Sequence, residues 1–251
     1  MTIRYSTGAR TAFCGTKGFS AIFNKGSINI YSGTQPTTAD SAVTGTLLGT
    51  VSISSGALTQ ETRASATITV AGASGSVNTV TVGGLNIIPA GAVAFNTDAA
   101  TTATDLCAAI NQAGLFDATV TGAVVTVLPQ RGAGTTYNAV ALATTVTTLT
   151  ATSSGDLTGG VAAVNGLTFA PASAGTVSKS GVWSFAGVAV GTAGWFRLIA
   201  SSADAGGAST TLERMDGSVA VSGGDMNLSN ISITVGAPNT VDTFTWTYPA
   251  Q

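Results

Sequence analysis

Two pairs of acidic residues are the candidates for catalytic chemistry in this 251-residue chain. The first pair is Glu213 with Asp216, and the second is Asp204 with Asp225. Two carboxyl groups that face one glycosidic bond can hydrolyse it, one as the acid and the other as base or nucleophile. However, Arg214 separates the first pair and a glycine follows Asp216, a pattern typical of a turn with a surface ion pair. We therefore interpret both pairs as structural and predict no catalytic residue.

The chain contains no histidine, which excludes several common kinds of catalytic and metal site. A Ser-His-Asp triad cannot form, and two isolated cysteines without histidine suit neither a usual zinc site nor a papain-like pair. Residues 14–18, CGTKG, lack the first glycine and the Lys-Ser/Thr ending of a phosphate-binding loop, and no short window has the acids of a calcium site. The sequence therefore predicts no metal and no cofactor. Cys14 and Cys107 are predicted to be free, small apolar residues of a protein from a reducing compartment.

Charge is sparse, since nine Lys and Arg and eleven Asp and Glu make up only 8% of the chain. A typical soluble domain has about 25% charged residues, and removing a charge from water is costly. A surface with few charges is therefore suited to burial against neighbouring subunits, although a neutral secreted β-protein has a similar composition. The net charge of −2 gives no general attraction for nucleic acid. No apolar run of about 18 residues is present, so we predict no membrane span.

The first 39 residues contain four cations and no acid. A short helix from Ser6 or Thr7 through Phe13, and a helical turn at 19–23, are predicted here. Such short helices cannot bury their apolar side chains alone, so we expect exposure of Phe13, Phe19, Ile22 and Phe23. The segment is predicted to dock on an acidic partner surface, with solvated helix charges as the alternative. The docking candidates are Arg4, Arg10, Phe13, Lys17, Phe19, Phe23 and Lys25.

Alternating apolar and polar residues predict many short β-strands. The clearest strand, 240–248, places Phe244, Trp246 and Tyr248 on one face and threonines on the other. All three tryptophans lie in the last third of the chain, and an aromatic side chain buries about 150–250 Å², so the main core is expected there. The other strands predicted around this core are 27–31, 46–54, 167–171, 176–188, 194–201, 218–221 and 231–235.

The middle of the chain has a different pattern, with one convincing helix among its strands. Residues 102–113 have apolar side chains at helical spacing, after potential caps at 96–98 and before Gly114. Predicted strands flank this helix at 66–70, 77–88, 118–121, 124–128 and 139–152. Glycine- and serine-rich joints bound the whole region, which indicates an independent module inserted in another domain.

These patterns together predict a mainly β protein of two domains. Residues 1–60 and 160–251 are expected to form an antiparallel β-sandwich, or jelly-roll-like, domain with an N-terminal helical segment. Residues 62–157 are expected to form an inserted α+β module with a ββαββ-like order of elements, which folds on its own.

Several stretches of the sequence resemble structural proteins of tailed-bacteriophage virions. In the two outer parts, about 1–50 and 165–251, the stretches are SINIYSGTQP at 27–36, AVTGTLL at 42–48, KSGVW at 179–183, GTAGWFR at 191–197, DGSV at 216–219, GDMNLS at 224–229 and APNTVDTF at 237–244. The middle is similar to a module that recurs in phage head, tail and fibre proteins, through NTVTVGG at 78–84, AFNT at 94–97 and ATDLCAAIN at 103–111. The resemblance implies no catalytic residues.

Among virion proteins, the chain is most similar to a capsid decoration, or cement, protein. The resemblance then implies a non-enzymatic protein on the capsid exterior that bridges capsomers and stabilises the shell. Its expected partners are the major capsid protein and copies of itself, with a trimer as one candidate homo-oligomer, and neither nucleic acid nor membrane. It would be made in the cytoplasm of the host bacterium. Two alternatives stay open: a tail or neck component, such as a tube, adaptor or spike subunit, and a carbohydrate-binding receptor module.

Overall fold

The computed structural model describes residues 3–15 and 17–248. Within these residues no helix is long and apolar enough to cross a membrane. In chain order the elements are β1 (Arg4–Tyr5), α1 (Thr7–Cys14), α2 (Phe19–Phe23), β2 (Ser27–Ser32), β3 (Leu47–Ile53), β4 (Ala66–Ala71), β5 (Ser76–Val82), β6 (Leu85–Asn86), β7 (Val93–Ala94), α3 (Ala99–Ala113), β8 (Phe116–Thr121), β9 (Val124–Pro129), β10 (Val140–Thr147), β11 (Thr150–Ser153), β12 (Asp156–Leu157), β13 (Thr168–Phe169), β14 (Thr176–Ser180), β15 (Trp183–Ala186), β16 (Gly191–Ile199), β17 (Arg214–Ala220), β18 (Met226–Leu228), β19 (Ser232–Ile233) and β20 (Pro238–Thr247).

The chain divides into two compact units, one inserted in the sequence of the other. The barrel unit contains the residues up to Glu61 and those from Ala163 onward, and the inserted unit contains Thr62–Ala162. Each unit has a hydrophobic core of its own. The two boundaries lie close to the glycine- and serine-rich joints from which an inserted module is predicted.

Seven strands of the barrel unit close into a ring in the order β2, β3, β15, β20, β18, β17 and β16, with β16 paired to β2. Only the β17–β18 pair in this ring is parallel. The predicted mainly β fold is confirmed, but the strands form one closed barrel where the sequence predicts a sandwich or jelly roll. The three-residue strand β18 causes this difference, because it joins β17 to β20 and is too short to show a periodic pattern.

The barrel core is built from inward-facing side chains of every strand and is centred on aromatic rings. The ring centroid of Phe244 lies 5.3 Å from that of Trp183 and 6.0 Å from that of Phe196. The sequence Asp216-Gly217 is predicted as a turn, but both residues lie inside β17. Gly217 is required there because a Cβ atom at this position would lie 2.6 Å from the Phe196 ring.

The two N-terminal helices form where the sequence predicts them. Ser6 caps α1 by accepting a hydrogen bond from the Ala9 N–H at 3.1 Å. α2 packs over the end of the barrel at which β2 begins, and Phe19, Ile22 and Phe23 are at most 3% exposed. The prediction that these α2 side chains are exposed is therefore wrong. The helix is too short to bury them alone, but the open barrel end supplies the apolar surface that it lacks.

The inserted unit contains two antiparallel sheets and one helix. One sheet has the order β12-β10-β5-β6 with β7 beside β5, and the other has the order β11-β4-β9-β8. α3 contacts β8, β9 and β4 through a buried face that includes Leu106 and Ile110. It begins at Asp98, whose carboxylate accepts from the Thr101 N–H at 2.7 Å, and ends at Gly114, which has a φ of +68°.

Three segments predicted as single strands are each divided in two, because left-handed residues interrupt them. Gly83 and Gly84 have φ values of +57° and +84° and turn 77–88 into the β5–β6 hairpin. Thr148, with φ +62°, ends β10, so β11 joins the other sheet of the inserted unit. Gly181, with φ +77°, separates β14 from β15 in the same way.

The chain ends of each unit meet in a hydrogen-bonded pair, which predicts that the units can be separated. In the barrel unit, Thr59 and Val164 exchange two backbone bonds of 3.1 and 3.0 Å. In the inserted unit, Thr62 and Val161 exchange two bonds of 3.1 and 2.8 Å. An Asn-Gly linker in place of 62–162 would therefore leave five residues between Thr59 and Val164, a length that is common in hairpin connections.

We expect the protein without 62–162 to keep a single cooperative thermal transition, because its core contains no side chain of the inserted unit. Circular dichroism during heating measures this transition. The isolated 62–162 segment, closed by its own Thr62–Val161 pair, is the matched second sample and should also melt cooperatively. A broad, non-cooperative melt of either piece would show that the two units require each other.

Candidate docking surface

Three of the four candidate catalytic carboxylates, those of Asp204, Asp216 and Asp225, form hydrogen bonds within the barrel unit. Asp216 is fully buried and accepts two bonds of 2.7 Å from Arg197 on the neighbouring strand β16. Arg214 donates two bonds of 2.6 Å to Asp204. Asp225 accepts from the backbone N–H and the hydroxyl of a β17 serine, at 2.8 and 2.7 Å. Burial raises the pKa of Asp216, and the bonds from Arg197 act in the opposite direction.

The predicted surface ion pair at residues 213–216 is wrong. Arg214 is buried, and its partner is Asp204 rather than a neighbour in sequence. The period of two along β17 places Arg214 and Asp216 on the outer face of the barrel, under the loop that joins β2 to β3. The guanidinium groups of Arg197 and Arg214 donate to backbone carbonyls of this loop, at 3.0 and 3.5 Å. The buried pairs therefore hold the loop on the barrel.

Arg4 and Arg10 lie together at a hollow of about 260 Å³ beside Asp40. Arg4 donates to the carbonyl of Pro36, and Arg10 donates to the hydroxyl of Thr7 at 2.9 Å. Asp40 accepts from the backbone N–H and the hydroxyl of Thr7, at 2.7 Å each. The Arg4 side chain is thus held by a contact within the barrel unit, whereas Arg10 is exposed on α1.

Asp40 brings a negative charge to a segment that has none of its own in the sequence. Partial burial pushes the pKa of Asp40 upward, but the two bonds from Thr7 and the charge of Arg10 outweigh this and lower the pKa. Asp40 is therefore ionised at neutral pH and offsets part of the positive charge of the docking segment. The first 39 residues contain no acid, but the folded protein places Asp40 beside Arg4 and Arg10.

Phe13 and Lys17 line an apolar groove of about 460 Å³ beside the C-terminal end of β20. The Phe13 ring stacks on Trp246, with centroids 5.9 Å apart, and meets the edge of Tyr5 at 5.5 Å. Tyr248 lies at the edge of the groove and is 66% exposed. This groove brings Phe13 and Lys17 of the docking segment together with the aromatic residues Trp246 and Tyr248 of the C-terminal part.

The remaining docking candidates offer little exposed surface to the groove. Phe19 and Phe23 belong to the barrel core; Phe19 also lines the groove, where it stacks on Trp246 with centroids 4.6 Å apart. Neither is an exposed anchor, because Phe19 is only 3% exposed and Phe23 is fully buried. Lys25 lies in the connection from α2 to β2, where its backbone N–H donates to the Leu167 carbonyl at 2.7 Å. It lines neither the Arg4–Arg10 hollow nor the aromatic groove.

Trp246 and Tyr248 are surface residues of the groove that sequence reasoning assigns to the core. The strand pattern correctly places them on the same face as Phe244. However, β20 extends past the end of the barrel to pair with β14, so burial falls along the strand. Phe244 is buried, Trp246 is half-buried and Tyr248 is exposed. The period of two indicates the face of a strand but not where its sheet ends.

Cys14 and Cys107 are both free thiols. Cys107 is buried on α3, and this burial raises the pKa of its thiol. Cys14 lies on the exposed side of α1 beside Arg10.

No protein-family model matches this chain, and no curated protein matches it. The assignment of a function therefore depends on the residues and their arrangement.

Proposed function

We propose that this chain is a non-enzymatic structural protein of a tailed-phage virion, and that it decorates the capsid as a cement protein. One observation carries the proposal. The chain has 20 charged residues, and two ion pairs whose side chains are at most 4% exposed, Arg197–Asp216 and Arg214–Asp204, withdraw four of these residues from the surface. The surface is therefore even poorer in charge than the composition indicates. Such a surface can be buried between subunits with little desolvation of charge, as interface cores require.

The docking surface in this proposal is the outer side of the N-terminal segment together with the aromatic groove. Phe13, Trp246 and Tyr248 provide apolar anchors, at about 25 cal/mol per Å² of buried apolar area before the costs of association. Arg10 and Lys17 provide orientation toward an acidic patch of the major capsid protein. The sequence prediction of this segment is retained for Arg10, Phe13 and Lys17. Trp246 in β20 and Tyr248 directly after it take the place of Phe19 and Phe23 as the apolar anchors.

Reversing Arg10 and Lys17 to glutamate should weaken attachment to expanded capsids by about tenfold in Kd. The loss should be greater at low salt, because repulsion is then least screened. The measurement is co-sedimentation of purified protein with capsids that lack it, over a range of salt concentrations. Lys25→Glu is the matched control, since it reverses a cation of the same segment outside the groove and should bind like the wild type.

Full occupancy of capsids by the Arg10→Glu/Lys17→Glu protein would contradict this docking surface. A loss of binding free energy for the Lys25→Glu control at least half that of the double variant would contradict it too, because the control changes the net charge by half as much and such a loss would show an effect of net charge alone.

A further inference from the structure

One end of the barrel has a cluster of exposed aliphatic side chains, which we name the apolar rim. Each of its members is between 37% and 74% exposed. The apolar rim consists of Leu47, Val188, Val190, Val221 and Val235. Single exposed valines are ordinary in soluble proteins, but a group at one place indicates an interaction surface.

Strand register places these residues at the barrel end where β2 finishes. Tyr31 of β2 pairs with Leu47, so β3 begins there. The Val188 N–H donates to the carbonyl next to Leu47 in sequence, at 2.8 Å. The residue before Val188 bridges Val235. Val190 directly precedes β16 and Val221 directly follows β17, and these two strands start and finish at the same end because they pair antiparallel.

The apolar rim also lacks charge. The chain segments that build this end contain no Asp, Glu, Lys or Arg; they are 44–49, 186–194, 219–224 and 229–239. Natural proteins commonly place charges on exposed apolar edges and patches to prevent self-association. None of these segments has such a charge.

We propose that the apolar rim is the surface through which copies of this chain associate with each other. Two rims can pack against each other without desolvating a charge, because the segments that build them contain no Asp, Glu, Lys or Arg. Their contact buries no unpaired charge and opposes no like charges. Charged groups of a partner surface would lose their hydration at this end and would find no group of opposite charge to pair with. The occupant that fits best is therefore a second copy of the same rim.

The apolar rim and the docking surface lie at opposite ends of the barrel. β20 runs from Pro238, near the rim, to Trp246 in the aromatic groove. One copy can therefore contact the shell with one end and its neighbours with the other, which is what bridging requires. The role in decoration rests on the proposed function, whereas the association is a property of the purified protein.

Sedimentation velocity over a concentration series tests the proposal. The wild type should show a concentration-dependent rise in mass, and Val190→Asp should weaken the association at least tenfold, as should Val235→Lys. Mixing these two variants should restore association, because an acidic rim then meets a basic one. Val182→Asp is the matched control, since Val182 is 57% exposed in the turn before β15, at the other end of the barrel. It should associate like the wild type.

A wild-type protein that stays monomeric up to about 1 mM would overturn the inference. So would undiminished association of Val190→Asp, or loss of association in the Val182→Asp control. If the wild type is monomeric and Val190→Asp abolishes capsid binding, the rim contacts the shell instead and the inference is wrong. Association that depends on the rim, in a protein that never binds capsids, would support the inference and contradict the proposed function.

Discussion

Replacing Asp216 with asparagine is expected to lower the free energy of unfolding of the barrel unit by about 3–5 kcal/mol. The change leaves the guanidinium of Arg197 buried without its carboxylate partner, and Arg197 is only 1% exposed. Asp242→Asn is the matched control, because Asp242 is exposed on β20 and has no such pair. Denaturant unfolding followed by tryptophan fluorescence measures the effect, since all three tryptophans belong to the barrel unit.

A second variant separates the loss of the pair from the loss of the charge. Arg197→Met combined with Asp216→Leu removes both charges and should recover most of the stability lost in Asp216→Asn. If Asp216→Asn is as stable as the Asp242→Asn control, the buried pair does not hold the β2–β3 loop on the barrel.

Replacing Phe23 with alanine is expected to destabilise the barrel unit by about 3–5 kcal/mol. Phe23 is fully buried where α2 covers the barrel end, so the change leaves a cavity in the core. Ala21→Ser on the exposed side of the same helix is the control and should be nearly neutral. The same fluorescence-monitored unfolding measures both variants.

Removal of residues 1–25 should accordingly prevent cooperative folding of the barrel unit, and not only its docking. The deletion takes away β1 together with four core residues: Ala9, Phe19, Ile22 and Phe23. A folded, cooperatively melting truncation would contradict the role of α2 as the cover of the barrel end. Docking should therefore be tested with surface substitutions, as described for Arg10 and Lys17.

Local patterns in the sequence predict most individual elements correctly. Ser6 and Gly15 bound α1, and Gly114 ends α3, because caps act within a few residues of the helix. The alternation of apolar and polar residues likewise predicts β2 and β20, because this pattern lies within each strand and needs no distant contact. Left-handed turns at non-glycine residues such as Thr148 have no comparable signal, so 139–152 is predicted as one strand.

Features that depend on distant contacts could not be read from the sequence. The barrel closes through β18, which is three residues long, and its pairs with β17 and β20 are set by the whole fold. The partner of Arg214 is Asp204 and that of Asp216 is Arg197, although Arg214 lies closest to Asp216 in sequence. Exposure of Tyr248 depends on where the barrel ends, and burial of Phe23 depends on what its helix covers.

The count and position of this protein in purified virions test the central claim most directly. Quantitative mass spectrometry gives the copies per particle, and electron microscopy of antibody-labelled particles gives their location. The proposal predicts many copies, in a fixed ratio to the major capsid protein, on the outer surface of the head. Six or twelve copies at the neck or tail, or none in the particle, would contradict it.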